Sequence, residues 1–378
     1  MIALPPLSLY IHIPWCVRKC PYCDFNSHTL RGPLEEAAYI AALLRDLERD
    51  LDLCGDRELS SIFIGGGTPS LFSGAAIERL LGGIRRRMDV TQDVEITLEA
   101  NPGAVDAAHF EGYLAAGVNR LSIGVQSFDE QMLRRLGRIH TPADAVQALV
   151  LAREAGLQNI NLDLMFGLPY QELPQAMLDL ETAIALAPDH VSWYQLTIEP
   201  NTLFHARPPP APGDELLWEI QEAGQARLRQ AGYIQYEVSA YAGAGDVCRH
   251  NLNYWTFGDY LGIGAGAHAK LTTSGGIIRR CKQKHPAVYM GKLRSGQDVF
   301  EEWPLQAPDL SLEFMMNALR LNQGVPRVLF EERTGLPLSV AQDGLDAAAE
   351  KGLMERSEDY LRPSDLGRSY LNDLLGLF

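Results

Sequence analysis

The chain has 378 residues, long enough for two domains, and 46% of them are apolar without any uninterrupted apolar run of membrane-spanning length. Lys and Arg total 33 against 48 Asp and Glu, a net charge of -15, which argues against a nucleic-acid surface and leaves no basic patch for anionic lipid. Six cysteines without framework spacing, and no targeting segment at the start, fit a soluble protein of a reducing cytoplasm.

Short β-rich runs alternate with helical stretches through the first half, with strands expected at 7–13, 61–65, 94–99, 120–126, 159–165 and 191–197. Between them Ile40, Leu43, Leu44, Leu47 and Leu51 recur at helical spacing, as do Met177, Leu180, Ile184 and Ala187 after Pro174. This alternation implies βαβ units and parallel strands, and six of them with crossovers of one hand curl into an open barrel. In such barrels the working residues gather where the strands end.

The first strand ends just before Cys16, Cys20 and Cys23, a CxxxCxxC spacing. An iron–sulfur cube takes four thiolates, so three leave one iron open to a ligand. A zinc site completed by His12 or His28 is the alternative, although no second cysteine pair exists and Cys54, Cys248 and Cys281 are solitary. Gly65-Gly66-Gly67-Thr68 follows the second strand, where missing side chains let the backbone approach a ligand or simply make a tight turn. The third, fourth and fifth strands bring Glu99, Gln126 and Asp163, and Arg138 lies twelve residues past Gln126. These make a convergent polar set, suited to a polar ligand or to a salt-bridge network at the barrel rim.

The proline-rich stretch 207–213 reads as a stiff connector. A helix at 215–230, a strand-like run at 233–241 and a Gly-rich segment at 262–266 follow. His250-Asn-Leu-Asn-Tyr-Trp255 offers an imidazole, an iron ligand, beside two flat aromatic faces. From about residue 305, helices at 312–321, 326–334 and 338–351 precede a short hairpin-like turn at 353–361 and a last helix. This suggests a winged-helix-like unit, for which the acidic chain favours packing or partner docking over nucleic acid.

The order HIPWC…CPYCDF, FIGGGTPS, EANPG, GVQSF, LGR and DLMFGLP resembles the coproporphyrinogen III dehydrogenase-like branch of the radical S-adenosylmethionine (SAM) superfamily, essentially end to end. The resemblance implies an α/β fold: a partial (β/α)6-type radical SAM barrel over 1–206, an accessory α/β region over 207–304 and a C-terminal helical, winged-helix-like domain over 305–378. It implies a [4Fe–4S] cluster on Cys16, Cys20 and Cys23 with SAM on the fourth iron. Contacts to the cofactor are implied for Tyr10, Tyr22, Gly66, Gly67, Thr68, Glu99, Gln126, Arg138 and Asp163. Oxygen-independent coproporphyrinogen oxidases in this branch carry a further cysteine two positions after the third ligand, where this chain has Phe25. The Cys-Asp-Phe version resembles the HemW-type heme chaperones, which hold heme b without a covalent bond and pass it to hemoproteins such as respiratory cytochromes. On that resemblance His250 is the axial ligand, with Tyr254 and Trp255 shaping the pocket. The partners implied are heme, its recipients (some reached by peripheral membrane contact) and a second copy of the chain.

Overall fold

The computed structural model describes residues 4–378. Six strands, β1 (Leu7–Ile13), β2 (Leu59–Gly66), β3 (Val90–Ala100), β4 (Arg120–Gln126), β5 (Asn159–Phe166) and β6 (His190–Gln195), pair in parallel and in chain order. All six expected strands are present, and β4 is buried at every residue, as a strand covered on both faces should be. Leu7, Leu9, Ile11 and Ile13 pack with apolar residues of α1 (Glu36–Asp50) and α2 (Gly74–Arg85) in the main core. Side chains alternate across a strand, so the intervening residues share the opposite, inward face. There the polar side chains sit: Ser8, Ser61, Glu95, Ser122, Asn161 and Asp163.

The sheet does not stop at six strands. At one edge β7 (Ile234–Glu237) and β8 (Ala240–Ala242) form a hairpin, with β8 antiparallel to β6. The single strand expected at 233–241 is therefore two. The Glu237 carboxylate accepts from the Ser239 N–H and hydroxyl, each at 3.1 Å, and turns the chain between them. At the other edge β9 (Asp259–Ile263) runs parallel to β1, and β10 (His268–Thr273), β11 (Gly276–Lys282) and β12 (Phe300–Pro304) extend it antiparallel. The result is one 12-stranded sheet, β12-β11-β10-β9-β1-β2-β3-β4-β5-β6-β8-β7.

Buried charge ties the added edge down. Lys282 of β11 donates to Asp46 and Asp50 of α1, each at 2.6 Å, with all three side chains fully buried. Asp259 on β9 receives Lys270 at 2.9 Å and Arg57 at 2.7 Å. A second core holds the C-terminal unit, where Phe314 and Phe330 meet edge to face at 5.1 Å and Phe257 from the sheet side packs on Phe314. Helices Ala307–Ala318, Val328–Thr334 and Gln342–Glu350 surround that core, and Val325–Pro326 pairs with Tyr360–Leu361 as a small two-stranded wing.

Candidate functional site

Packing dictates the glycines after β2. Gly66 has φ of 114°, and a Cβ on it would lie 2.6 Å from the His12 ring. A Cβ on Gly67 would lie 2.5 Å from the Trp15 carbonyl oxygen. Only glycine lets this turn press against the end of β1, where the Gly67 N–H donates to the Ile13 carbonyl at 2.7 Å. The cysteine loop starts there, and Lys19 holds it closed by donating to the carbonyls of Phe25 (3.1 Å) and Ser27 (3.3 Å).

Cys16, Cys20 and Cys23 border a pocket of ≈ 520 Å³ at the C-terminal ends of the strands, together with Tyr22, Gly66, Gly67, Thr68, Glu99, Gln126, Arg138 and Asp163. Burial raises the Cys16 and Cys23 thiols; hydrogen bonds with Thr68 at Cys16, and with Phe25 and Ser27 at Cys23, act against it. Among the described residues, no three His, Cys, Asp or Glu side chains converge as ligands of one small ion would.

The polar wall is built pairwise. The Gly66 N–H donates to Glu99 Oε2 at 2.9 Å, yet burial, reinforced by Asp163, pushes the Glu99 carboxyl up to about 8. Asp163 is also raised by burial and is engaged on both oxygens, by the Ser122 hydroxyl (2.9 Å) and the Asn161 amide (2.8 Å). Arg138 Nη2 donates to Asn101 Oδ1 at 2.7 Å and to the Gly124 carbonyl at 2.5 Å, while Nη1 lies 3.9 Å from Cys20 Sγ. Gln126 ends β4 at φ of 69°, an uncommon left-handed position for a non-glycine residue, and Tyr194 donates to its Oε1 at 2.9 Å.

Asn101 and Tyr194 line the same pocket, and the sequence reading missed them. Asn101 joins Thr68, to which its amide donates at 2.8 Å, with Arg138. Its signal was local, a polar residue opening the turn straight after Glu99. Tyr194 had none, because its partner Gln126 lies two strands away.

Two expected contact residues lie off the pocket wall. Tyr10 is absent from the pocket wall: its hydroxyl pairs with His12 Nδ1 at 2.9 Å and its ring packs on Phe63. His250 is not on an open turn but in a helix, α3 (Arg249–Trp255), docked against the inward face of the barrel. The Glu95 carboxylate receives the Arg249 and His250 N–H groups, each at 3.0 Å, and so caps that helix from β3. His250 is only 2% exposed, its Nδ1 pairs with Ser61 Oγ at 2.9 Å, and its ring lies between Phe63 and Tyr254, both at 5.1 Å. Burial lowers its pKa to about 3, and Nε2 is buried without a partner. Tyr254 packs on Tyr260, and Trp255 lies under the Arg320 guanidinium. His250 is thus buried at the barrel floor, while Tyr254 and Trp255 are half-buried, Trp255 against the C-terminal core.

A family profile described as the Radical SAM superfamily matches residues 10–180, and one described as the HemN C-terminal domain matches residues 305–370. The chain is 53% identical over 379 residues to heme chaperone HemW of Escherichia coli (strain K12), covering 100% of this chain and 99% of that one. It is 52% identical over 383 residues to heme chaperone HemW of Haemophilus influenzae, with the same coverage. The chain belongs to the HemW family of radical SAM proteins. Among solved structures, a coproporphyrinogen III oxidase (HemN) from Escherichia coli, described as a Radical SAM enzyme, superposes with a TM-score of 0.84. That match covers 99% of this chain and 90% of the other at 24% identity, and it speaks to the fold alone. A [4Fe–4S] cluster and SAM belong to the HemW family as radical SAM proteins. The pocket suits them: three soft thiol donors lie on one loop, beside a cavity of ordinary small-molecule size with polar groups on its far wall.

Proposed function

We propose that the chain is a heme chaperone, binding heme b non-covalently and handing it to hemoproteins such as respiratory cytochromes. The observation that carries this reading is full-length identity above 50% to two proteins named heme chaperone HemW. Phe25 adds to it. It borders the cluster pocket and is 55% exposed, at the position where the oxidases of this branch place a further cysteine.

In this reading Cys16, Cys20 and Cys23 hold the cluster, and Tyr22, Gly66, Gly67, Thr68, Glu99, Gln126 and Arg138 hold SAM. Asp163 and Asn101 position that wall. When bound, the pair supplies one-electron chemistry. The 1–206 barrel carries this site, the 207–304 region braces it, and the 305–378 unit docks partners, a second copy of the chain among them. No helix among the described residues is long and apolar enough to cross a membrane.

The oxidase reading keeps one argument, the shared fold. Anaerobic reconstitution followed by parallel assays separates the two. The chaperone reading expects a heme-dependent Soret band and no protoporphyrinogen from coproporphyrinogen III. Turnover to protoporphyrinogen would make the protein an oxidase.

A further inference from the structure

A run of hydrogen bonds crosses the barrel from the cofactor pocket to the start of helix α3. At the pocket end, Asp163 of β5 receives the Ser122 hydroxyl at 2.9 Å and the Asn161 amide at 2.8 Å, and Ser122, Asp163 and Ser192 all line the pocket. Asn161 pairs in turn with His190 of β6 at 2.6 Å, and His190 with the Tyr236 hydroxyl of β7 at 2.9 Å. That hydroxyl meets the Cys248 N–H at 3.3 Å, and Cys248 is the residue from which helix α3 starts. Asn161, His190 and Cys248 are each no more than 1% exposed.

The role of each partner follows by elimination. The Asn161 amide nitrogen faces the Asp163 carboxylate and the Ser122 oxygen (2.7 Å), so its carbonyl oxygen faces His190 Nδ1 and the Ser192 hydroxyl, and both of these donate. Burial and the Arg120 guanidinium keep His190 neutral. With its one proton on Nδ1, Nε2 accepts, so Tyr236 donates to it and takes the Cys248 N–H on its oxygen. Every donor therefore points toward Asp163. Hydrogen bonds in such a chain polarise one another, and a change at one end is felt at the other.

Helix α3 has no side-chain cap from its own N-cap residue. Its leading N–H groups are clamped from two sides, those of Arg249 and His250 by Glu95 and that of Cys248 by Tyr236. His250 Nε2, buried and unpartnered, reaches an iron when the helix shifts, and a shift works against both clamps. We propose that His190 and Tyr236 are positioning residues that link the cofactor pocket to helix α3, so that filling the pocket with SAM speeds the loss of heme from the helix. The proposal rests on the chaperone reading, with heme at helix α3, and gives the cofactor pocket a part in release. A cation bearing hydroxyls in the pocket draws on the Asp163 carboxylate and competes with the Asn161 amide. The chain then weakens link by link, and Tyr236 loosens its hold on the Cys248 N–H.

The test is the rate at which cluster-loaded protein loses heme to an excess of an apo b-type hemoprotein, read from the Soret band with and without saturating SAM. Wild type should lose heme at least on the order of fivefold faster with SAM. Tyr236→Phe should lose it at one rate in both conditions while still binding heme and SAM. Tyr241→Phe, which alters a buried tyrosine of β8 outside the chain, should keep the wild-type ratio. Hydrogen exchange on the heme-free protein gives an independent reading, with protection of the Cys248 N–H falling when SAM binds. Equal rates in wild type, an undiminished ratio in Tyr236→Phe, a ratio lost equally in Tyr241→Phe, or an unchanged Cys248 N–H would overturn the link and leave the chaperone reading standing. A wild-type protein that binds no heme would overturn both.

Discussion

Glu99 shows how much a residue's surroundings set its chemistry. At about 8, raised by burial and by Asp163, its carboxyl is protonated at neutral pH in the free pocket. A cationic ligand beside it favours the carboxylate, so binding releases a proton. Affinity for SAM should therefore rise with pH and level off above about 8, and an α-amino group that ligates the iron must itself lose a proton, which adds to the rise. Glu99→Gln should remove the carboxyl's share, and calorimetry in buffers of different ionisation enthalpy reads the proton directly. Buffer-independent heats in wild type would show that Glu99 does not titrate on binding. Gly67 offers a steric counterpart: Gly67→Ala sets a methyl against the Trp15 backbone, which no rotamer change relieves. We expect that variant to fold but to lose much of its iron and sulfide per chain, because the cysteine loop is what must move. Cysteines, glycines and acids were legible because each sits in a short local motif. Asn101 and Tyr194 acquire their places only from neighbours brought in by the barrel, and the Tyr10 hydroxyl pairs with His12 two residues away.

Among the elements, the alternating apolar runs of β1 to β6 marked themselves, since period and length both point to buried parallel strands. The edges did not. Strands β7 to β12 are short, and their pairing is set by turns and by buried charge between distant residues. Lys282 makes the point: it neutralises Asp46 and Asp50 from more than two hundred residues away. Lys282→Met should cost about 3–5 kcal/mol, since it removes the cation two buried carboxylates share, leaving Asp50 to Arg280 and Asp46 to the Tyr289 hydroxyl and the Gly264 N–H. Urea unfolding measures this, and a change below about 1 kcal/mol would contradict the role assigned to the cluster. Helix α3 is the other element that sequence could not place. Its residues read as an exposed aromatic motif until Glu95 is seen drawing the helix N-terminus into the barrel. His250→Ala should lower stability by about 1–3 kcal/mol through the lost hydrogen bond to Ser61 and the lost packing on Phe63 and Tyr254. An unfolding free energy unchanged within about 0.5 kcal/mol would contradict that role.

For the whole molecule, the arrangement places the cluster pocket at the strand ends and helix α3 at the barrel floor, with the chain of hydrogen bonds from Asp163 to Cys248 between them. The barrel class was legible because strand order followed chain order; the continuous 12-stranded sheet was not, because β9 returns to β1 across the whole length of the barrel. A protein built to carry heme, unlike one that transforms a porphyrinogen inside a barrel, must both hold its ligand and give it up. The most direct measurement is therefore transfer: cluster-loaded protein is charged with one equivalent of heme and mixed with an apo b-type hemoprotein, and the Soret bands of donor and acceptor are followed in time. The account predicts loss of the donor band with matching growth of the holo-acceptor spectrum, faster than from heme in buffer. A donor that retains its heme, or an acceptor that fills no faster than from free heme, would contradict it.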